Sequence, residues 1–176
     1  FKNQNDQKEG INIDTNNICE ACKYNETKNE INWIEREKKL ISLLDKHRKT
    51  SGYDCVVPGS GGKDSAYAAH ILKYKYGMNP LTVTWAPHLY TSIGWENFTN
   101  WVHIGGFDNL LFTPNGKVHR YLTKLAFKNL LHPFQPFIVG QKIIGPQIAK
   151  KFNIKLVFYG ENQAEYGNAA DENDDP

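Results

Sequence analysis

Apolar residues recur with the spacing of one helix face between positions 31 and 50. A period near 3.6 residues predicts an amphipathic helix, and Gly52 supplies a stop signal just after it. The side chains that define this face are Trp33, Ile34, Leu40, Ile41 and Leu44.

Short apolar runs alternate with helical patterns through the rest of the chain. Strands are predicted over 53–58, 81–86, 109–112 and 155–159. Helices are predicted over 64–76, 117–131 and 136–151. Because these strands are apolar on both sides and are separated by helices, they predict a parallel sheet with helices on both faces. The expected fold class is therefore α/β and Rossmann-like.

The same pattern divides the chain into three segments. Residues 1–30 form a polar head with two cysteines, residues 31–52 form a linking helix, and residues 53–170 form the α/β domain. A doubly wound sheet commonly has five or six strands. Since four are predicted here, we expect the domain to be incomplete at its C-terminal end.

Composition narrows the function classes. With 176 residues and 40% hydrophobic content, the chain can bury one sizeable core. A net charge of +2 gives no reason to expect a nucleic-acid partner. No apolar run approaches the roughly 20 residues of a membrane span, and the first residues lack the apolar region of a signal peptide. Three cysteines make a poor disulfide framework, so we expect a cytoplasmic protein.

The segment that carries chemistry follows the first predicted strand. Residues 56–65 read VVPGSGGKDS and lead from that strand into a helix. Glycines let the backbone approach a ligand closely, and the new helix presents N–H groups and a positive dipole to an anion. Ser60 and Ser65 add hydroxyl donors, Lys63 adds a positive charge, and Asp64 is suited to Mg²⁺.

Two common phosphate-binding loops do not fit this segment. A Walker A loop needs Ser or Thr where Asp64 stands and Gly where Val57 stands, and the Rossmann pattern needs a third Gly at position 64. Residues 60–65 (SGGKDS) instead match the S-G-G-x-D-S signature of PP-loop ATP pyrophosphatases, enzymes that cleave ATP between its α and β phosphates. The alternative is a glycine-rich turn without a ligand.

Beyond this loop, the chain resembles the N-acetyl sugar amidotransferases, a PP-loop family of bacterial surface-polysaccharide and nonulosonic-acid pathways. The resemblance runs from about Gly10 to Gly167. It rests on the loop, on His119 and Arg120, and on the segments 18–22 (ICEAC), 80–88 (PLTVTWAPH), 93–97 (IGWEN), 106–109 (GFDN), 113–116 (TPNG), 133–137 (PFQPF), 140–141 (GQ), 159–162 (YGEN) and 165–167 (EYG).

The resemblance implies an ATP- and Mg²⁺-dependent reaction. In this family a sugar acetamido group becomes an acetamidino group through an adenylated intermediate. A partner glutaminase subunit supplies the ammonia. The expected partners are therefore that subunit and an N-acetylated sugar.

Site residues are expected at the carboxyl ends of the strands, where open parallel sheets bind ligands. The nucleotide would contact Ser60, Gly61, Gly62, Lys63, Asp64, Ser65, Thr84, Trp85 and Ala86. Lys63, Asp64 and Glu161 are the candidate catalytic residues, and Asp64 and Glu161 are the candidate Mg²⁺ ligands. Candidate sugar or phosphate contacts are His88, His119, Arg120 and Gln141. The alternative roles are packing for Trp85, ordinary polar histidines, and a solvated helix charge for Arg120.

Cys19 and Cys22 form a C-x-x-C pair in the polar head. Such a pair can be half of a zinc site or a redox dithiol, and its position away from a strand-to-helix junction argues against redox use. The resembling proteins carry a second cysteine pair upstream, which would complete a four-cysteine zinc site. Residues 1–9 of this chain have no cysteine. Two ligands cannot close a structural site, which argues against zinc here.

Two alternative functions remain open. One is another PP-loop ATP pyrophosphatase, such as a tRNA-modifying thiolase or ligase. The other is a non-catalytic nucleotide-binding module.

Overall fold

The computed structural model describes residues 13–19, 22, 25, 26 and 30–161 of the chain. These residues belong to two compact units, the larger of which spans Ser42–Glu161 and contains the sheet. The smaller unit includes a tight turn in which Ile13 and Cys19 form an antiparallel bridge. Asp14 stabilises this turn because its Oδ1 accepts hydrogen bonds from the backbone N–H groups of Asn16 and Ile18, at 2.8 and 2.9 Å.

Helix α1 spans Trp33–His47, lies within the predicted linking helix and ends before Gly52. Its start is capped by Asn32, whose Oδ1 accepts from the N–H of Glu35 at 3.1 Å. Leu44, within the larger unit, is fully buried.

Three parallel strands form the sheet in the order β1-β2-β3, with β1 at Cys55–Pro58, β2 at Pro80–Trp85 and β3 at Asp108–Phe112. The register pairs Val56 with Leu81 and Val83 with Leu110. The predicted α/β class and parallel sheet are confirmed.

Four further helices surround or extend this sheet: α2 at Lys63–His70, α3 at Ser92–His103, α4 at Gly116–Leu130 and α5 at Gln135–Lys151. The helix predicted over 64–76 is α-helical only to His70 and continues as a π-helical turn over Ile71–Lys75. Sequence patterns assigned no element to α3, which buries Phe98 and Trp101.

Helix α5 packs on one face of the sheet. Its Ile144 and Ala149 share a buried cluster with Val56, Leu81 and Val83. Because side chains alternate along a strand, Val57, which is also fully buried, points to the opposite face. That face lies under α2, which contacts β1. Helices therefore flank both faces of the sheet.

The predicted fourth strand over 155–159 is wrong as a strand, because this segment forms only one parallel bridge, between Val157 and Val56. Two hydrogen bonds hold it: Val56 N–H to Leu156 O at 2.9 Å and Phe158 N–H to Val56 O at 2.8 Å. The pairing does not continue beyond Val56, because β1 ends at Pro58 and proline has no N–H to donate to the segment.

The bridge nevertheless fixes the topology. It places the segment around Val157 on the side of β1 that β2 does not occupy. The chain therefore leaves β1 in one direction for β2 and β3 and later returns to its other side. Such a reversal is the topological switch point at which open α/β sheets bind ligands, and the loop after β1 lies there.

Within the described residues, no helix is both long enough and apolar enough to cross a membrane.

Candidate functional site

Three described helices begin directly after a strand, and their first turns differ. Thr91 caps α3, because its Oγ1 accepts from Gly94 N–H at 2.9 Å. Asn115 caps α4, because its Oδ1 accepts from the N–H groups of Lys117 and Val118 at 3.0 and 3.2 Å. Helix α2 begins after Gly62, which has no side chain to act as a cap. The N–H groups of its first turn therefore have no side-chain cap as acceptor.

The loop before α2 is held in a shape that only glycine fits. Gly61 has φ +86°, and a Cβ at this position would lie 2.7 Å from the Cα of Phe98 on α3. The N–H of Gly59 donates to the carbonyl of Val83 at 2.9 Å, which joins the loop to β2. The next glycine, Gly62, has open space at its Cβ position. A side chain would therefore be strained at position 61 but would fit at position 62.

The charged side chains of the signature lie at the start of α2. Lys63 Nζ lies 2.9 Å from Asp64 Oδ1, and the two side chains are 90% and 48% exposed. Exposed pairs of this kind contribute about 0–1 kcal/mol, so this pair is weak enough to exchange for a ligand. The hydroxyl of Ser65 donates to the carbonyl of Gly62 at 3.2 Å, and Ser60 is exposed.

Gly160 brings the later candidate, Glu161, to the same loop. A Cβ on Gly160 would lie 2.5 Å from both the carbonyl carbon of Asp64 and the nitrogen of Ser65. The backbone before Glu161 therefore packs directly on the first turn of α2. Glu161 itself is exposed. Asp64 and Glu161 are 97 positions apart in the chain, yet Gly160, the neighbour of Glu161, packs on the backbone of Asp64.

Groups at the end of β2 that were predicted to contact adenine are already hydrogen-bonded to β3. The Thr84 side chain is buried in the sheet, where its Oγ1 accepts from Asn109 Nδ2 at 3.0 Å. The N–H of Ala86 donates to Phe112 O at 2.9 Å. The N–H of Ala86 is therefore already used, and the side chain of Thr84 is not accessible to an adenine. The role of Thr84, Trp85 and Ala86 in binding a nucleotide stays a prediction.

Trp85 turns its indole towards α5. A Cβ on Gly140 would lie 2.2 Å from the indole, so glycine is needed at this contact. The indole N–H of Trp85 is buried without a hydrogen-bond partner among the described residues.

Beyond Trp85 lies a group of rings that we call the imidazole cluster, consisting of Trp85, His88, Phe112, His119 and Phe137. The ring centroids of His88 and His119 are 4.7 Å apart, and those of Trp85 and Phe112 are 4.8 Å apart. Phe137 lies 5.2 Å from His88. Two of the predicted substrate residues, one after β2 and one on α4, are thus in contact.

The two imidazoles of this cluster differ in environment. His119 is buried, with 9% of its surface exposed, and its Nε2 has no hydrogen-bond partner among the described residues. Burial lowers the pKa of His119, and the charge of His88 lowers it further. His119 is therefore neutral at neutral pH. His88 is exposed.

Arg120 and Gln141, the other two substrate candidates, are both exposed. Arg120 follows His119 on α4 and therefore points about 100° away from it. Sequence reasoning did not identify Phe112, Phe137 or Gly160 as site residues. The only available signal for Phe137 was its place in the aromatic segment 133–137.

The thiols of Cys19 and Cys22 are neighbours. A hydrogen bond with the Cys19 side chain raises the pKa of Cys22, and the Cys19 charge raises it further. Among the described residues, no group of three or more His, Cys, Asp or Glu side chains is arranged to hold a metal ion. The head therefore brings two potential ligands together.

Comparison with known proteins supports the architecture. No family model matches the chain. A stretch of 74 residues is 36% identical to an uncharacterized protein of Methanocaldococcus jannaschii, covering 42% of this chain and 26% of that protein. The structure is similar to that of NMN synthetase from Francisella tularensis, with a TM-score of 0.56 and 18% identity, over 75% of this chain and 56% of that one.

The similarity to the synthetase concerns the fold: the two chains share an α/β architecture. It spans about a quarter of the length of the archaeal relative and just over half of the length of the synthetase.

Proposed function

We propose that this chain is the ATP-binding part of a PP-loop amidotransferase that converts an acetamido group on a sugar to an acetamidino group. One observation carries the nucleotide assignment. The helix that follows the SGGKDS loop begins without a side-chain cap, while α3 and α4, which also follow strands of this sheet, are capped by Thr91 and Asn115. The fold similarity to NMN synthetase supports this assignment.

The loop residues would bind the pyrophosphate of ATP. Backbone N–H groups of the first turn of α2 and the hydroxyl of Ser60 donate to phosphate oxygens. Lys63 leaves Asp64 and neutralises phosphate charge. Glycine at position 61 allows the positive φ of the loop and its close approach to the backbone of Phe98, which together fix the shape of the loop.

Asp64 and Glu161 would hold the Mg²⁺ that accompanies ATP. Both are carboxylates, the ligands that this hard cation prefers. Both are exposed, and Gly160, next to Glu161, packs on the backbone of Asp64. When bound, the ion neutralises charge on the phosphates. The residues at this edge are thus consistent with magnesium.

The chemistry balances in two steps. The acetamide oxygen attacks the α-phosphorus of ATP, pyrophosphate leaves, and the amide loses its N–H proton to give an O-adenylyl imidate. Ammonia then attacks the imidate carbon, and AMP leaves with the former amide oxygen. The chain has to align the acceptor, stabilise charge on the α-phosphate and exclude water, which would hydrolyse the imidate.

The imidazole cluster is the candidate acceptor site. The neutral imidazole of the buried His119 can accept a proton when ammonia adds to the imidate. His88 is exposed and in contact with His119, so it can transfer that proton to solvent. Ammonia would come from a separate glutaminase subunit. Among the cysteines, Cys55 is buried in β1, while Cys19 and Cys22 lie in the polar head.

The test is pyrophosphate release from MgATP with ammonium salt and a panel of N-acetyl sugars and their nucleotide derivatives. We expect release to require both ammonia and acceptor, and ¹⁸O in the acetamide carbonyl to appear in AMP. Glutamine should support turnover only when a glutaminase is added. Label retained in the sugar, or label-free AMP formed with a modified tRNA, would assign the chain to another PP-loop reaction.

Variants connect this activity to the site. Asp64→Asn should lower pyrophosphate release by about 100-fold or more, because a charged ligand to the metal and phosphates is lost. Glu96→Gln removes an exposed carboxylate on α3 and is the matched control, expected to retain activity. Equal loss in both variants would show that the effect does not arise at the loop.

A further inference from the structure

Basic and acidic residues are unevenly distributed along the chain, although its net charge is only +2. Residues 109–160 contain eight Lys and Arg and no Asp or Glu, although the whole chain has 21 basic and 19 acidic residues. This segment therefore has a formal charge of +8, and the remainder of the chain has −6. Helices α4 and α5 both lie in the basic segment. Its charges are not balanced by any acidic residue within the segment.

Four of these cations form a stripe along α4. Lys117, Arg120, Lys124 and Lys128 are three or four residues apart, so they share one side of the helix, and all four are exposed. A second exposed arc of the same helix is apolar. It consists of Val118, Tyr121, Leu122 and Leu125, which are 56%, 61%, 44% and 36% exposed. Basic and apolar arcs side by side are typical of helices that bind a bilayer surface.

The turn from α4 to α5 projects further apolar side chains, and we call it the apolar corner. Its members Phe127, Leu130, Leu131 and Phe134 are 57%, 49%, 81% and 57% exposed. Leu131 caps α4 in the left-handed conformation, with φ 53° and ψ 26°. Glycine usually occupies this position, because a Cβ is unfavourable there. Because Leu131 is left-handed and exposed to water, glycine at this position would serve the fold equally well.

We propose that the apolar corner and the basic stripe of α4 bind the surface of a membrane that contains anionic lipids. In this arrangement Phe127 and Leu131 enter the boundary between headgroups and acyl chains. The stripe meets lipid phosphates, which supply the negative charge that residues 109–160 lack. This binding is peripheral and does not depend on the proposed amidotransferase activity.

Other occupants fit the surface less well. A second copy docked through α4 by a two-fold axis would bring one basic stripe close to another. A nucleic acid would use the cations and could stack on Phe127 or Tyr121. It would have no use for the exposed aliphatic side chains of Leu131 and Leu125. Lipid accounts for the charges and the aliphatic groups together.

The test is flotation of the full chain with vesicles of phosphatidylcholine, with and without phosphatidylglycerol. We expect the chain to float with the anionic vesicles only and to be released by salt. Leu131→Gly should lower the vesicle partition coefficient about 5-fold, by removing buried acyl contact. The same change should leave the melting temperature equal or higher, because glycine suits the left-handed cap. Ile104→Ser removes an aliphatic residue that is 80% exposed at the end of α3 and should not affect flotation.

Charge is tested separately. Lys124→Gln with Lys128→Gln should lower the partition coefficient by about 10-fold, since each cation near an anionic surface contributes a severalfold change. Lys38→Gln with Lys39→Gln makes the same change in net charge on α1 and is the control.

Three outcomes would overturn the proposal. The first is equal flotation with both vesicle types, or flotation unaffected by Leu131→Gly. The second is a concentration-dependent dimer that Leu131→Gly abolishes, which would identify a second copy as the occupant. The third is RNA or DNA binding that the double lysine variant loses and Leu131→Gly retains. Pyrophosphate release in the absence of vesicles reports on the amidotransferase proposal independently.

Discussion

Helices α2 and α4 begin at the same edge of one parallel sheet, yet their first turns are completed differently. Asn115 satisfies two N–H groups of α4 through its own side chain. At α2 the corresponding position is Gly62, and the residues that follow carry a cation, a carboxylate and a hydroxyl. The two helices therefore differ in whether a side chain accepts a hydrogen bond from the first turn. In α4 the cap residue accepts from it, and in α2 no side-chain cap is present.

The largest effect on activity is expected at Gly160, which packs on the first turn of α2. Gly160→Val would place a side chain within 2.5 Å of the backbone at Asp64 and Ser65. Since one segment must move, and misplacement by about 1 Å can cost about 100-fold in rate, MgATP-dependent pyrophosphate release should fall by at least that much. Gly116→Ala, at the start of α4, has open space and should leave the rate unchanged. Normal turnover by Gly160→Val would mean that the segment of Glu161 does not belong to the site.

A cap added to α2 tests the comparison directly. Gly62 has φ −67° and ψ 154°, which suits a capping residue, and its Cβ position is open. In Gly62→Asp, the new carboxylate should accept from the first turn and repel phosphate, so that MgATP affinity falls by about 10-fold. The melting temperature should stay equal or rise slightly. Gly62→Ala separates side-chain size from charge and should bind MgATP almost normally, as measured by calorimetry. Unchanged affinity in Gly62→Asp would argue against phosphate binding at this helix end.

Removing a cap from α4 is the converse test. Asn115→Ala should destabilise the domain by about 1 kcal/mol, because two N–H groups lose their acceptor. Urea denaturation measures this loss. MgATP affinity should stay the same. Weaker MgATP binding in the folded variant would place part of the nucleotide site at α4 and remove the contrast between the two junctions.

Sequence patterns predicted the fold where the local signal and the tertiary structure agree. The strands β1 and β2 are apolar and β-branched, and both were expected. Helix α3 was not, because Gly94, Thr99 and Asn100 are poor helix formers. Burial of Phe98 and Trp101 stabilises this helix, and such tertiary contacts are not visible in a local window. The segment 155–159 has the pattern of a strand, but its pairing is limited by the length of β1.

The site residues likewise include some that the sequence could predict and some that it could not. Ser60 to Ser65 are contiguous, so the loop could be recognised from the sequence alone. The imidazole cluster could not be assembled, because contact between His88 and His119 depends on the register of β2 and β3 and on the start of α4. The requirement for glycine at position 160 became apparent only from its contact with α2. The net charge of +2 likewise concealed the basic segment, since a sum over the chain removes information on position.

The smallest expected effect is on the pH dependence of folding stability, and it comes from His119 in the first turn of α4. Burial lowers the pKa of His119 below its ordinary value of 6.5. As the pH falls below about 6.5, the unfolded chain takes up a proton at this residue before the folded chain does. Folding stability from His119 is therefore fully present above that pH and is lost as the pH falls towards the folded-state pKa.

His119→Gln should remove this contribution, so that the free energy of unfolding falls less between pH about 8 and about 5.5 than in the unsubstituted chain. Urea denaturation at a series of pH values measures the difference. His103→Gln, an exposed residue at the end of α3, is the matched control and should retain the original slope. Equal pH dependence in the unsubstituted chain and in His119→Gln would mean that the α4 junction accepts a buried positive charge. In that case His119 would be protonated in the folded chain and unable to accept a proton from ammonia.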